Sequence, residues 1–347
     1  MKKVSAIGHF GYGHNFLDGQ TVKTKTVTAE LTRRFGKNQI LTIDTYGGAK
    51  NLIKAPFQVL NALKNSRNVL IFPAQNSLRV YAPLLAVLKG LFNDRKLHYA
   101  VIGGWLPRFL ENRKRLAKIL KEFDGIYVET QTMKSALEKQ GFENVHIMPN
   151  CKNLKILSEE ELVYPAGMPY KLCTFSRVMR EKGIEDAVSA VIAVNAELGI
   201  KAFSLDVYGQ VDNGQTVWFD ELQKKFPPYI RYAGSVDANQ STEVLKNYFA
   251  LLFPTRFYTE GIPGTVIDAY AAGVPVISAK WESFADIIED GVTGIGYAFD
   301  DPAGLKSILA DAADDPARLV SMKTSCLKKS DCYVPHTAVK LLIDRMY

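Results

Sequence analysis

Two carboxylates and a turn stand out in the segment RFYTEGIPGTVIDAYAAGVPVIS, Arg256 to Ser278. Glu260 precedes a Gly-x-Pro turn (Gly261, Ile262, Pro263), and Asp268 stands eight residues after Glu260. Pro263 can open a helix, because its missing N–H is one that a first turn leaves unbonded. Gly273 and Pro275 then end that helix, and the Val-rich run behind them reads as a buried strand. Glu260 is therefore expected just ahead of a helix N-terminus, with Asp268 about a turn and a half inside. Amides at such an end, those of Gly264 and Thr265, attract phosphate. The two carboxylates can then take up sugar and ribose hydroxyls. About eighty residues upstream, FSRVMREKGIEDAV puts Arg177 directly behind a strand and Lys182 on the loop before a helix. Two cations at a strand end can hold a diphosphate, Arg as a planar fork and Lys as a compact charge. The plainer reading of each is a solvated surface charge.

The first half offers weaker signals. Gly8, Gly11 and Gly13 in GHFGYGHNF do not fit G-x-G-x-x-G, so a dinucleotide fingerprint is not indicated. Gly19–Gln20–Thr21, with Thr21 as the expected helix cap, suits a phosphate or sugar loop better, and His14 beside it can touch donor or acceptor. His98 enters a strand and reads as structural. VIGGWLPRFL places Gly103, Gly104 and Trp105 at a strand's carboxyl end, where a sugar can stack on the indole or the indole can pack a wall. There is no D-x-D pair and no His/Cys/Asp cluster of metal-ligand spacing, so no metal and no further cofactor is expected. The absence of G-x-S-x-G and of a P-loop argues against hydrolase and kinase chemistry.

These residues need elements to hold them. Strand-like apolar runs around Val4–Phe10, Ile40–Tyr46, Val69–Pro73, Tyr99–Gly103, Gly125–Val128 and Val145–Pro149 alternate with helical stretches at Thr21–Phe35, Leu78–Phe92, Phe109–Glu122 and Thr132–Gln140. That rhythm predicts an α/β fold with mainly parallel sheets. It breaks down around Asn150–Pro169 and resumes with strands at Lys171–Ser176, Ser204–Tyr208, Ile230–Ala233, Phe249–Phe253, Val274–Ser278 and Gly294–Phe299. Three helices are expected from Pro302 onward. The expectation is two doubly wound, Rossmann-like domains facing each other across a cleft. Residues 1–150 form the acceptor side, 151–170 a linker and 171–330 the nucleotide-sugar side. A helix at 331–347 packs back toward the N-terminal domain.

Composition sets bounds on the partners. The 347 residues carry a net charge of +7. Residues 1–150 hold 23 Lys+Arg against 10 Asp+Glu, or +13, and residues 151–347 hold 20 against 26, or −6. Such asymmetry suggests that one half faces a polyanion, and the lack of any recognised module argues against nucleic acid. The four cysteines lack C-x-x-C spacing, which fits a reducing cytoplasm. MKKVSAIGHF reads as a first strand rather than a signal peptide, and no run approaches the length of a membrane span. Leu78–Phe92 and Phe109–Phe123, the latter with Arg113, Lys114 and Arg115, read as basic helices with apolar faces suited to an anionic membrane surface.

The order FSRVMREKG, VYGQVDNG, YAGSV, LLFPTRFYTEGIPGTVIDAYAAGVPVIS and ADIIEDGVTG resembles the carboxy-terminal domain of the retaining family-4 (group 1) glycosyltransferases of the GT-B fold. DGQTVKTKTVTAEL and FENVHIMPNCKN resemble the family's Gly loop with its first helix and its inter-domain exit. The resemblance implies that Arg177 and Lys182 bind the donor diphosphate, Glu260 contacts the transferred sugar and Asp268 the ribose, with Gly209 and Gly234 near the base. The family usually has a second Glu where this chain has Asp268. The function implied is transfer of a sugar from a nucleoside-diphosphate-sugar donor to an acceptor hydroxyl, with retention, in cell-surface polysaccharide or glycolipid synthesis. The partners implied are a sugar nucleotide and a saccharide or lipid-linked acceptor, at the cytoplasmic face of a membrane. A sugar-nucleotide epimerase of the same fold and a non-catalytic sugar-nucleotide- or membrane-binding partner protein are the alternatives.

Overall fold

The computed structural model describes residues 1–14, 18–47 and 49–347. The chain divides into two compact units, one of Met1–Asn153 with Cys332–Tyr347 and one of Leu154–Asp331. Each unit is a six-stranded, wholly parallel sheet. Short apolar runs form these strands because helices cover both faces of such a sheet and no polar alternation is needed.

The first unit holds β1 (Lys2–Gly8), β2 (Ile40–Asp44), β3 (Ser66–Ile71), β4 (Lys96–Ala100), β5 (Gly125–Val128) and β6 (Val145–Ile147), in the order β2-β1-β3-β4-β5-β6. The second holds β7 (Tyr170–Phe175), β8 (Phe203–Tyr208), β9 (Ile230–Gly234), β10 (Ala250–Phe253), β11 (Val276–Ala279) and β12 (Gly294–Tyr297), in the order β12-β11-β10-β7-β8-β9. In each sheet the order reverses once, between β1 and β3 and between β7 and β10. Chains leaving two such neighbours depart in opposite directions and open a crevice at the strands' carboxyl ends, where α/β sheets bind ligands. Among the described residues no helix is long and apolar enough to cross a membrane.

Several expected elements shift. Thr21 does not cap the first helix, which runs from Gly19 to Phe35. Asp18 caps it, accepting from the Thr21 amide at 3.0 Å and the Thr21 hydroxyl at 2.8 Å. The stretch expected as one helix at Phe109–Glu122 is two, Leu106–Glu111 and Lys114–Lys121, broken where Arg113 takes a non-helical φ of −132°. The first expected helix of the second sheet's end is present at Pro302–Asp314, but four more helices follow instead of two. A helix at Ala55–Asn65 was not expected.

His98 lies inside β4, buried, with Nδ1 3.1 Å from the Tyr127 hydroxyl and Nε2 3.2 Å from Asn68 Oδ1. Burial holds its pKa down at about 4, with nearby Lys96, Arg345 and Lys89 reinforcing the effect against Asp124. The unfolded chain takes up this proton near pH 6.5 and the folded chain does so only near pH 4. Stability is therefore lost as pH falls through that window, by about 3 kcal/mol at most. A His98→Gln variant should show a flatter acid limb in unfolding free energy against pH. Parallel limbs for the two proteins would remove His98 from the acid response.

Candidate active site

The second sheet's reversal places the loops after β7 and β10 side by side. Ser176 and Arg177 leave β7, and the Val178 that follows them is held by the loop after β8, through Val178 N to Gln210 O at 2.9 Å and Asp212 N to Val178 O at 3.0 Å. The Arg177 guanidinium is exposed, 3.6 Å from the Asp212 carboxylate. A single 3-10 turn, Arg180–Lys182, then delivers the lysine, and Gly183 follows at φ 68°. Only glycine suits that position, since a Cβ would overlap the Pro254 carbonyl oxygen besides adopting a left-handed backbone. The β7 and β10 loops thus touch backbone to backbone, and the Arg256 amide donates to Glu181 O at 2.9 Å.

That closeness brings two sequence-predicted residues together. Lys182 Nζ donates to Glu260 Oε1, with the two side chains only 18% and 16% exposed. The Thr255 hydroxyl donates to the same carboxylate oxygen at 3.3 Å. The ammonium also lies 5.0 Å from the centre of the Phe257 ring and 5.6 Å from that of Phe253. Aromatic faces on one side and a carboxylate on the other shield this cation from water, which strengthens whatever anion it meets.

Behind Glu260, Ile262 and Pro263 are buried, and Pro263 (φ −68°, ψ 129°) stands immediately before the helix Gly264–Ala271 rather than within its first turn. No side chain caps this helix, so the first amides, at Gly264 and Thr265, lead its positive end. Thr265 Oγ1 is buried with no hydrogen-bond partner among the described residues. Asp268 lies in the helix and is buried, not a surface charge. Gly209 follows β8 and Gly234 ends β9, and the two are joined by Gly209 N to Gly234 O at 2.9 Å. A Cβ on Gly209 would overlap the Ser176 carbonyl oxygen, so this glycine lets the β8 loop lie against the Arg177 backbone. Thr255, Phe257 and Asp212 belong to the site and were not singled out from the sequence.

The remaining candidates belong to the first unit. Gly19 and Gln20 begin the first helix, and Gln20 Nε2 reaches the Phe72 carbonyl at 3.4 Å, across the β1–β3 reversal. His14 is exposed, its ring tilted 4.8 Å from that of Tyr46. Asp44 anchors the loop between them: the amides of Phe10, Tyr12 and Tyr46 donate to it at 2.9–3.0 Å. Burial raises its pKa, but these amides outweigh that and hold the carboxylate below its ordinary range. Gly103 (φ 79°) donates its amide to the buried Glu129 at 3.2 Å, and Glu129 also accepts from Lys23 at 2.6 Å. Gly104 is buried, and Trp105 is half-buried, with Nε1 donating to Ile102 O at 2.8 Å and the indole set edge-on to Phe109. The indole therefore packs a wall on at least one face. Among the described residues no group of three or more His, Cys, Asp or Glu has a metal-binding arrangement. A pocket of about 450 Å³ between Ile147, Pro149, Cys332, Thr337 and Leu341 contains none of the residues above.

Residues 169–315 match the family described as "Glycosyl transferases group 1". Over 161 residues, 44% of this chain, the sequence is 29% identical to the UDP-N-acetylglucosamine–peptide N-acetylglucosaminyltransferase GtfA subunit of Streptococcus gordonii. Over 115 residues, 33% of this chain, it is 30% identical to a D-inositol 3-phosphate glycosyltransferase of Streptomyces avermitilis. The matched parts span 29% and 24% of those proteins, so the chain covers less than a third of either. Among solved structures, the sucrose-phosphate synthase of Thermosynechococcus elongatus superposes with a TM-score of 0.77 at 14% identity, covering 100% of this chain and 98% of that one. Anabaena HepE in complex with UDP and glucose gives 0.73 at 13% identity, covering 98% of each chain. These likenesses show the fold, two Rossmann-like domains of the GT-B type.

Proposed function

We propose that this chain, a GT-B-fold protein whose residues 169–315 carry a group 1 glycosyltransferase domain, moves a sugar from a nucleoside diphosphate to an acceptor hydroxyl. The observation that carries the reading is the meeting of Lys182 and Glu260 where the second sheet reverses, with Arg177 on the same loop after β7 and the uncapped helix Gly264–Ala271 starting four residues after Glu260. HepE, solved with UDP and glucose, and the UDP-N-acetylglucosamine-using GtfA support a sugar nucleotide as donor.

Transfer breaks the bond between the anomeric carbon and the diphosphate oxygen and makes one to the acceptor oxygen. The ring turns oxocarbenium-like while the departing oxygen gains negative charge, so fixed positive groups around that oxygen are the largest lever. In our reading Arg177, Lys182 and the Gly264–Thr265 amides supply them, and no metal is required. Ile262 and Pro263 line the same turn. Glu260 orients the sugar, Asp268 takes the ribose, and Gly209 and Gly234 lie near the base. Gly19 and Gln20 serve the donor from the first unit, and His14, Gly103, Gly104 and Trp105 serve the acceptor. The departing phosphate itself takes the acceptor's proton, which gives retention without a side-chain base. A diphosphate competes with Glu260 for Lys182, so donor arrival frees the carboxylate to accept from sugar hydroxyls. The product we infer is a cell-surface polysaccharide or glycolipid, made in the cytoplasm with the basic first unit on an anionic membrane.

Binding of matched ligands tests the assignment. Arg177→Ala and Lys182→Ala should each weaken a nucleoside diphosphate by on the order of tenfold, the scale of one charge-assisted contact, and the bare nucleoside much less. Equal losses for both ligands in calorimetry would mean that the cations shape the loop and do not hold phosphate.

A further inference from the structure

The two helical stretches whose sequences suggested a membrane face turn most of their apolar residues inward, and only Val87 (76%) and Leu91 (72%) of Leu78–Phe92 are largely exposed. Leu110, Leu116 and Leu120 are buried, as are Leu78, Tyr81, Ala82 and Leu85. Arg113 braces its own chain break, donating to Phe109 O at 2.7 Å with its guanidinium 3.9 Å from the Phe109 ring centre. A longer exposed apolar stripe lies on the helix Ala55–Asn65 and the turn before it. One stripe of that helix, Ala55, Val59, Ala62 and Leu63, is buried in the core of the first unit. An adjoining stripe is apolar as well: Ile53 is 78% exposed, Phe57 77% and Leu60 41%, with Pro56 exposed between them. These are positions i, i+3, i+4 and i+7, one continuous face of a helix. An apolar stripe left exposed beside the buried one calls for something to cover it.

Charge identifies the cover. Residues 45–93 hold six Lys and Arg and no Asp or Glu. Lys54, Lys64 and Arg67, on or beside the exposed stripe, are themselves exposed. Four apolar side chains make a footprint well short of the roughly 800 Å² per partner that a stable protein interface buries. A bilayer interface asks for no such area, only for a few apolar side chains to enter the headgroup region with cations around them. We propose that Ile53, Pro56, Phe57 and Leu60 insert into an anionic lipid surface, with Lys54, Lys64 and Arg67 against the headgroups. The proposal rests on the peripheral-membrane reading above and gives it a face and an orientation, the long axis of the helix Ala55–Asn65 lying in the membrane plane.

Co-sedimentation of the full chain with phosphatidylcholine vesicles, with and without phosphatidylglycerol, tests it. Wild type should bind only the anionic vesicles, and less as salt rises. Ile53→Ser with Phe57→Ser should weaken that binding about tenfold with the thermal midpoint unchanged. Lys54→Ser with Lys64→Ser should weaken it too, whereas Val217→Ser, an equally exposed apolar residue of the other unit, should not. Three results would overturn the proposal. Sedimentation with anionic vesicles at low salt no greater than without vesicles removes the membrane reading together with this face. Anionic binding that survives Ile53→Ser/Phe57→Ser leaves the membrane reading standing and moves the face elsewhere. A dimer by light scattering that Phe57→Ser returns to monomer assigns the stripe to a second copy of the chain.

Discussion

Glu260→Gln is expected to slow sugar transfer by at least about tenfold, or ~1.4 kcal/mol of barrier, while nucleoside diphosphate binds more tightly than to wild type. The two effects oppose each other because Glu260 is the anionic partner of Lys182. Removing its charge frees the ammonium for phosphate and, in the proposed reading, also removes the carboxylate assigned to the sugar. A group that only shaped the loop would weaken both together. Turnover equal to wild type would withdraw Glu260 from the reacting sugar, and weaker diphosphate binding would show that the pair has no competition to relieve.

Gly183→Ala should be the most damaging single change to the loop after β7. The substitution adds left-handed strain, about 1–2 kcal/mol, to a direct overlap with the Pro254 carbonyl oxygen. Relief requires the β7 and β10 loops to separate, which pulls Lys182 from Glu260. Gly234→Ala is the matched control: its φ of 77° is equally left-handed, yet nothing lies within 4 Å of the added carbon. Gly183→Ala should therefore lose more thermal stability than Gly234→Ala and should also lose diphosphate binding. Equal midpoints for the two variants would mean that the loops are not packed as closely as the overlap requires.

The sheets were legible because buried parallel strands are short apolar runs, and Gly125–Val128 and Ser204–Tyr208 read almost as they stand. The helix Ala55–Asn65 was not expected: Ile53, Phe57 and Leu60 add a second apolar stripe to the buried Ala55, Val59, Ala62 and Leu63, so the apolar residues mark no single face in the sequence. The break at Arg113 was hidden because its neighbours keep helical spacing on both sides. In the candidate site, Arg177, Lys182 and Glu260 were singled out by residue type and by their place behind strands. Their mutual geometry was not, because only the strand order makes β7 and β10 neighbours although β8 and β9 lie between them in sequence. Thr255 escaped notice for the same reason, its role being set by where Glu260 turns back toward it.

The central claim is sugar transfer from a nucleoside diphosphate, and the most direct measurement is donor breakdown. The full chain is incubated with uridine-, guanosine- and adenosine-diphosphate sugars and a set of saccharide and lipid-linked acceptors, and released nucleoside diphosphate is quantified for wild type and Lys182→Ala. The account predicts that one donor is consumed in an acceptor-dependent way, that the sugar appears on the acceptor, and that Lys182→Ala abolishes both. Conversion of the donor to an isomer without acceptor, or release that Lys182→Ala leaves unchanged, would contradict it.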